Sequence, residues 1–148
     1  MGSLELPESG FVYVDTQAVI YSVEVQAPYW SCLEPVWEAA QAGRFGLVTS
    51  ELTLMEVLVG PLKRDDKLLV RAYEEIFKTA QIRLSPITQS ILRDAARLRA
   101  TIPTLRTPDA LHAATALDTQ CALFLTNDAG FRCVPGLPLT LLSDALPC

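Results

Sequence analysis

The 148-residue sequence is short of the features that mark several large functional classes. It has four cysteines, Cys32, Cys121, Cys133 and Cys148, with no CxxC pair and no metal-ligand spacing. That excludes a zinc ribbon or a disulfide framework and implies free thiols in a reducing, cytoplasmic setting. No run of 18 or more apolar residues is present, so no membrane span is expected. The opening MGSLELPESG carries two glutamates and no basic residue, which does not suit a secretory leader. No glycine-rich phosphate loop occurs, and no serine lies in a nucleophile-elbow sequence. There is no excess of positive charge: 12 basic residues face 17 acidic ones, a net charge of −5. A module that holds DNA over a broad surface is usually basic, so this balance argues against one.

The apolar content, half of the chain, is ample for a core. A domain of this size buries about 70% of its unfolded surface and folds without a disulfide or metal staple. Residues 1–10 are expected to form a short tail and residues 11–148 a single domain. No internal repeat or low-complexity linker divides it. Short apolar runs are expected as strands at Phe11–Val14, Gly46–Val48, Ile82–Leu84, Ala122–Leu125 and Leu139–Leu142. Between them, helices are expected over Gln17–Val23, Pro28–Ala42, Glu51–Val59, Arg64–Lys78, Ile87–Ala100 and Pro108–Asp118. Gly43 suits a C-cap, Pro35 interrupts the second helix, and Gly60-Pro61 should end the third. Strands that are apolar without alternation, separated by helices, predict a three-layer α/β/α sandwich around a mostly parallel sheet. In such sheets ligands bind beyond the carboxyl ends of the strands, where the strand order reverses.

Two of the strands run into aspartate. Phe11-Val12-Tyr13-Val14 leads to Asp15, and Leu123-Phe124-Leu125-Thr126-Asn127 leads to Asp128. Neighbouring strands lie about 4.8 Å apart, so the two carboxylates would raise each other's pKa unless a cation neutralised them. A hard divalent cation suits carboxylate oxygens. Plainer readings stand beside this one: Asp15 can cap the helix that follows, and Asn-Asp-Ala-Gly is a good turn sequence. Glu56 belongs to a thin polar stripe, Thr53, Glu56 and Gly60, on an otherwise apolar helix; the stripe faces either water or a polar site. Glu51, in the first turn, better suits the helix dipole. Asp109 follows Thr107, a plausible N-cap, and Pro108, and would favour that helix start by itself. The small residues after it, Ala110, Ala113, Ala114 and Ala116, allow the helix to approach the sheet closely.

Taken together, the four acids resemble the PIN-domain nuclease family, especially the VapC-type toxins of toxin–antitoxin pairs. The matching stretches are Val12-Tyr13-Val14-Asp15-Thr16, Thr49-Ser50-Glu51-Leu52-Thr53-Leu54-Met55-Glu56, Thr107-Pro108-Asp109-Ala110-Leu111-His112-Ala113-Ala114-Thr115-Ala116 and Leu125-Thr126-Asn127-Asp128-Ala129-Gly130-Phe131. The resemblance spans about residues 11–142. It implies a five-stranded parallel sheet of order 3-2-1-4-5. It implies that Asp15, Glu56, Asp109 and Asp128 hold one or two Mg²⁺ or Mn²⁺ ions for endonucleolytic hydrolysis of RNA, with Thr126 lining the site. It also implies an antitoxin partner, whose basic side chain enters the acidic site, and a homodimer. Members often carry Asn or Ser two positions after the first aspartate, where this chain has Gln17. Four site carboxylates would supply four of the five net negative charges, leaving about −1 for the rest of the chain, so the acidity counts less against an enzyme that holds acids at a metal.

His112, the only histidine, sits one turn after Asp109 among alanines and reads as a packed or hydrogen-bonded structural group rather than an acid or base. Two basic sets could steer a phosphate backbone: Lys63, Arg64, Lys67, Arg71 and Lys78, and Arg93, Arg97, Arg99 and Arg106. Each also reads as a solvated helix face. Tyr29, Leu33 and Trp37 recur at helical spacing beside Trp30, as core or as an interface. Two rival functions remain. A haloacid dehalogenase-like phosphatase would want an aspartate at position 17, where Gln17 stands. A non-catalytic PIN fold serving binding or assembly would have less reason to keep four mutually repelling carboxylates.

Overall fold

The computed structural model describes residues 4–146. Met1–Ser3 and the free-thiol expectation for Cys148 lie outside the described residues. Five strands, β1 (Phe11–Val14), β2 (Gly46–Ser50), β3 (Ile82–Ser85), β4 (Leu123–Thr126) and β5 (Leu139–Leu141), form one sheet of order β3-β2-β1-β4-β5. Every pairing is parallel. The central strand β1 sits in register with β2 on one side (Tyr13 opposite Val48) and β4 on the other (Val14 opposite Leu125). The strand order reverses at β1, as the sequence led us to expect.

Both sheet faces are covered, which is why the central strands β1 and β4 are apolar on successive residues up to their carboxyl ends. Alternate residues divide between two cores. Val12, Val14, Leu47, Leu123 and Leu125 pack against one set of helices: α1 (Thr16–Val23), α2 (Trp30–Gln41), α3 (Glu51–Lys63) and α4 (Lys67–Ile76). Tyr13, Val48 and Phe124 face the other way, against α5 (Gln89–Thr101) and α6 (Thr107–Asp118). On that side the α6 residues Ala110, Ala113, Ala114 and Ala116 are all buried, the close approach that small side chains permit. The Tyr29/Leu33/Trp37 stripe belongs to the first core: Leu33 and Trp37 are buried, and Trp37 Nε1 donates to Ser22 Oγ at 2.8 Å. Leu4 and Leu6 pack on the same core, and Arg44 binds the carbonyls of Leu6 and Pro7.

Several element ends differ from expectation: α2 starts at Trp30, α4 spans only Lys67–Ile76, and β2 and β4 run on to Ser50 and Thr126. The helix α3 does not stop at Gly60-Pro61 but runs on to Lys63, with Pro61 buried inside it. Proline removes one hydrogen bond from a helix interior; here the helix continues through it. The chain leaves the helix only at Asp65, which is left-handed at φ 54°. The N-cap of α6 is Arg106, not Thr107, and it makes no side-chain cap bond. Thr107 Oγ1 accepts instead from Arg99 Nη1 at 3.0 Å, tying α6 to α5. Among the described residues Cys32, Cys121 and Cys133 are free thiols, and no helix is long and apolar enough to cross a membrane. Burial pushes the Cys121 thiol up to about 11, so it stays protonated at neutral pH.

Candidate metal and nuclease site

A cavity of about 350 Å³ opens at the carboxyl ends of β1 and β4. Four separate elements bring Asp15, Glu56, Asp109 and Asp128 to its wall, so the four acids picked out from the sequence line one space. Asp15 follows β1 directly and is buried, with its backbone N–H on the carbonyl of Leu125 at 3.2 Å. Its two oxygens are occupied differently. Oδ1 accepts from Ala18 N at 2.9 Å, which makes Asp15 the N-cap of α1, and Oδ2 accepts from Thr126 Oγ1. The capping role and the site position thus coexist in one side chain. Asp128 lies two residues past β4 and caps a 3-10 turn, Ala129–Cys133, through Oδ1 and Gly130 N at 2.8 Å. Asp109, in the first turn of α6, is met by exposed Arg106 at 3.4 Å.

Thr126 is fully buried and lies behind the cavity wall rather than on it. Its hydroxyl donates to Asp15 and accepts from Asp128 N at 3.0 Å, so one small side chain fixes two of the acids. Thr126→Val keeps the shape and strands both partners. An unpaired buried polar group costs about 1–3 kcal/mol, so urea unfolding should show a loss in that range. A loss under about 0.5 kcal/mol would mean that the two bonds are not holding the strand end.

Glu56 is reached from the other side. Its Oε1 accepts from Thr16 Oγ1 at 2.6 Å and from His112 Nε2 at 2.8 Å. Thr16 also touches Thr53 at 3.2 Å, and Thr53 touches Thr49 at 2.7 Å, so the polar stripe on α3 faces a hydrogen-bonded interior. Glu51 stands apart from the cavity, accepting from Ile87 N at 3.0 Å. His112, Thr16, Gln17, Tyr21, Asn127 and Phe131 are cavity-lining residues beyond the four acids. Helical spacing carried a signal for some of them: Gln17 and Tyr21 share a face of α1, and His112 lies one turn beyond Asp109. His112 is hydrogen-bonded and buried, as read from sequence, but its partner is a site carboxylate.

The charges do not sit comfortably. Burial raises the Asp15 carboxyl above its ordinary value; the bonds from Thr126 and Ala18 and the nearby His112 oppose this, and Asp128 adds to it. Burial also acts to raise Glu56, but the hydrogen bonds from His112 and Thr16 outweigh it and hold that carboxyl below its ordinary value. Among the described residues no group of three or more His, Cys, Asp or Glu side chains is drawn together tightly enough to form a ready metal cage. The four acids on the wall nevertheless supply hard carboxylate oxygens of the kind that suit Mg²⁺ or Mn²⁺, one of them on a buried group whose carboxyl pKa is raised by desolvation. Glu56 and Asp109 are each engaged by a neighbouring side chain, His112 and Arg106 respectively.

A family model for the PIN domain matches residues 12–137. The chain belongs to the PIN-domain family. No curated protein matches it. Among solved structures, this PIN-domain chain is similar to VapBC2 from Rickettsia felis bound to a DNA fragment from its promoter. The two share 19% identity and a TM-score of 0.70, over 88% of this chain and 98% of that one. A toxin–antitoxin complex from Klebsiella pneumoniae matches at 22% identity and a TM-score of 0.63, over 88% and 97% of the respective chains. FitAcB from Neisseria gonorrhoeae matches at 16% and 0.65, over 89% and 98%. At these identities the likeness is one of fold.

Proposed function

We propose that this PIN-domain protein is a metal-dependent endoribonuclease that hydrolyses RNA phosphodiester bonds, and that it is the toxin of a toxin–antitoxin pair. The observation that carries the nuclease reading is the convergence of Asp15, Glu56, Asp109 and Asp128 on one cavity. In this reading Asp15, Glu56, Asp109 and Asp128 would hold Mg²⁺ or Mn²⁺, which would supply charge neutralisation at a phosphodiester undergoing hydrolysis. Thr126 fixes the orientation of Asp15, and burial of that carboxylate excludes bulk water from the floor of the site. Arg106, exposed and 3.4 Å from the cavity-lining Asp109, is placed to meet a phosphate group. The toxin reading draws on the similar structures, one of which is a toxin–antitoxin complex from Klebsiella pneumoniae. A homodimer and a cytoplasmic setting belong to the same reading.

The test is cleavage of structured cellular RNA with Mn²⁺ or Mg²⁺, by the wild-type chain and by Asp128→Asn. Cleavage that needs the metal and falls more than about 100-fold in the variant is expected, since even groups behind a ligand cost about 10–100-fold. Equal cleavage by both proteins, or cleavage undiminished in EDTA, would rule the reading out. The binding-module alternative predicts no divalent affinity that depends on Asp15.

A further inference from the structure

A chain of hydrogen bonds from the core of the sheet ends on Glu56. We propose that His112, itself held by Tyr13, is a positioning residue for Glu56: it fixes Oε1 and leaves Oε2 as the oxygen available to the cavity. The inference rests on reading that cavity as a divalent-metal site. It is carried by three elements, β1, α6 and α3, whose side chains meet in order.

Tyr13 is fully buried at the centre of β1. Its oxygen accepts the amide of Ser50 at 3.2 Å, which leaves its proton for His112 Nδ1 at 2.6 Å. The Glu56 carboxylate can only accept, so His112 Nε2 carries a proton, and Nδ1 is then the acceptor for the Tyr13 hydroxyl. A ring nitrogen that accepts keeps the proton on the other one. His112 Nε2 donates to Glu56 Oε1 at 2.8 Å. Thr16 donates to that same oxygen at 2.6 Å. No described residue makes a hydrogen bond to Oε2, although the Glu56 side chain lines the cavity and is 28% exposed.

A glutamate on a helix surface has several free torsions. Two donors on one of its oxygens remove that freedom and decide which oxygen faces a ligand. The helix α6 thus serves the site twice, presenting Asp109 itself and, one turn on, orienting an acid that belongs to α3. Outer partners of this kind are worth about 10–100-fold in metal affinity.

The experiment is calorimetric titration of the full chain with Mn²⁺ in the absence of RNA. It compares wild type, Asp15→Asn, His112→Ala, His112→Gln, Glu56→Ala and the Glu56→Ala/His112→Ala double variant. His112→Ala is expected to weaken Mn²⁺ binding by about 10–100-fold. His112→Gln, which retains an N–H donor of similar reach, is expected to recover most of that loss. In the Glu56→Ala background, His112→Ala should add no further loss, because the partner it acts through is gone. A penalty that persists undiminished in that background overturns the proposal, as does wild-type affinity in His112→Ala. Should His112→Ala fail to fold, Tyr13→Phe, which keeps the ring and removes the donor, replaces it in the same cycle. If wild type and Asp15→Asn bind Mn²⁺ equally weakly, the metal-site reading itself has failed, an outcome distinct from failure of the His112 cycle.

Discussion

Asp15→Asn is expected to abolish metal-dependent RNA cleavage and yet to leave the metal-free protein at least as stable as wild type at neutral pH. The two effects have one origin. Asp15 is buried at the end of the central strand, where desolvation raises its pKa more than Thr126, Ala18 N and His112 lower it. An acid whose pKa rises on folding binds more protons in the folded state than in the unfolded state. Its contribution to stability is fullest at low pH and declines as pH rises from the ordinary carboxylate value through the folded one. At pH 7 the ionised carboxylate is therefore a cost in the absence of a cation, and the neutral isostere removes it. Asparagine retains an acceptor for Ala18 N and a group that can pair with Thr126, so the helix cap survives.

The measurement is thermal unfolding in EDTA and in Mn²⁺, paired with an RNA cleavage assay. In EDTA the variant should melt at or above wild type. Mn²⁺ at about 100 times its Kd should stabilise wild type by about 2.7 kcal/mol and the variant far less. Cleavage should fall by more than about 100-fold, beyond the range for groups that only support a ligand. A variant that melts well below wild type in EDTA would show that the Asp15 charge supports the fold, and wild-type cleavage by the variant would remove Asp15 from the site.

Much of this site was legible because its acids stand at places the chain marks locally. Asp15 and Asp128 follow apolar strands, and a parallel sheet with a reversal at β1 brings those strand ends side by side. Glu56 announced itself as a polar residue on an apolar helix, and Asp109 as the acid of a proline-started one. The partners of these acids were less visible. His112 meets Tyr13 across 99 residues of sequence and Glu56 across 56, contacts that no local pattern encodes. Its alanine neighbours correctly signalled a buried position, but not which groups it would meet there. The end of α3 was missed for a different reason. Gly60-Pro61 is a strong local stop, yet the helix continues through it with Pro61 buried. Thr107 looked like an N-cap because its hydroxyl suits that role, whereas Arg99 recruits that hydroxyl from the neighbouring helix.

Phe124→Ala is expected to be the most damaging single core substitution for both the fold and the site. Phe124 is fully buried on β4, with its ring stacked on Tyr13 at 4.9 Å and 5°, and Phe131 tilted against it at 4.9 Å. Truncating a buried phenylalanine to alanine costs about 3–5 kcal/mol, a large share of the roughly 5–15 kcal/mol that holds a domain together. For a chain near 150 residues that corresponds to a drop in Tm of roughly 10 °C. The site should suffer beyond this, because the two rings that lose support lead to it. Phe131 lines the cavity directly, and Tyr13 carries the hydrogen bond that sets His112. Phe124→Leu, which keeps most of the volume, should cost under about 1.5 kcal/mol while still removing the flat face beneath Tyr13. Scanning calorimetry and Mn²⁺ titration on both variants separate the effects. A Tm loss below about 3 °C for Phe124→Ala would mean that the core closes around the gap. Unchanged Mn²⁺ affinity in Phe124→Leu would mean that Tyr13 holds its place without the stacked ring, leaving the bonds to Ser50 and His112 as its sufficient anchors.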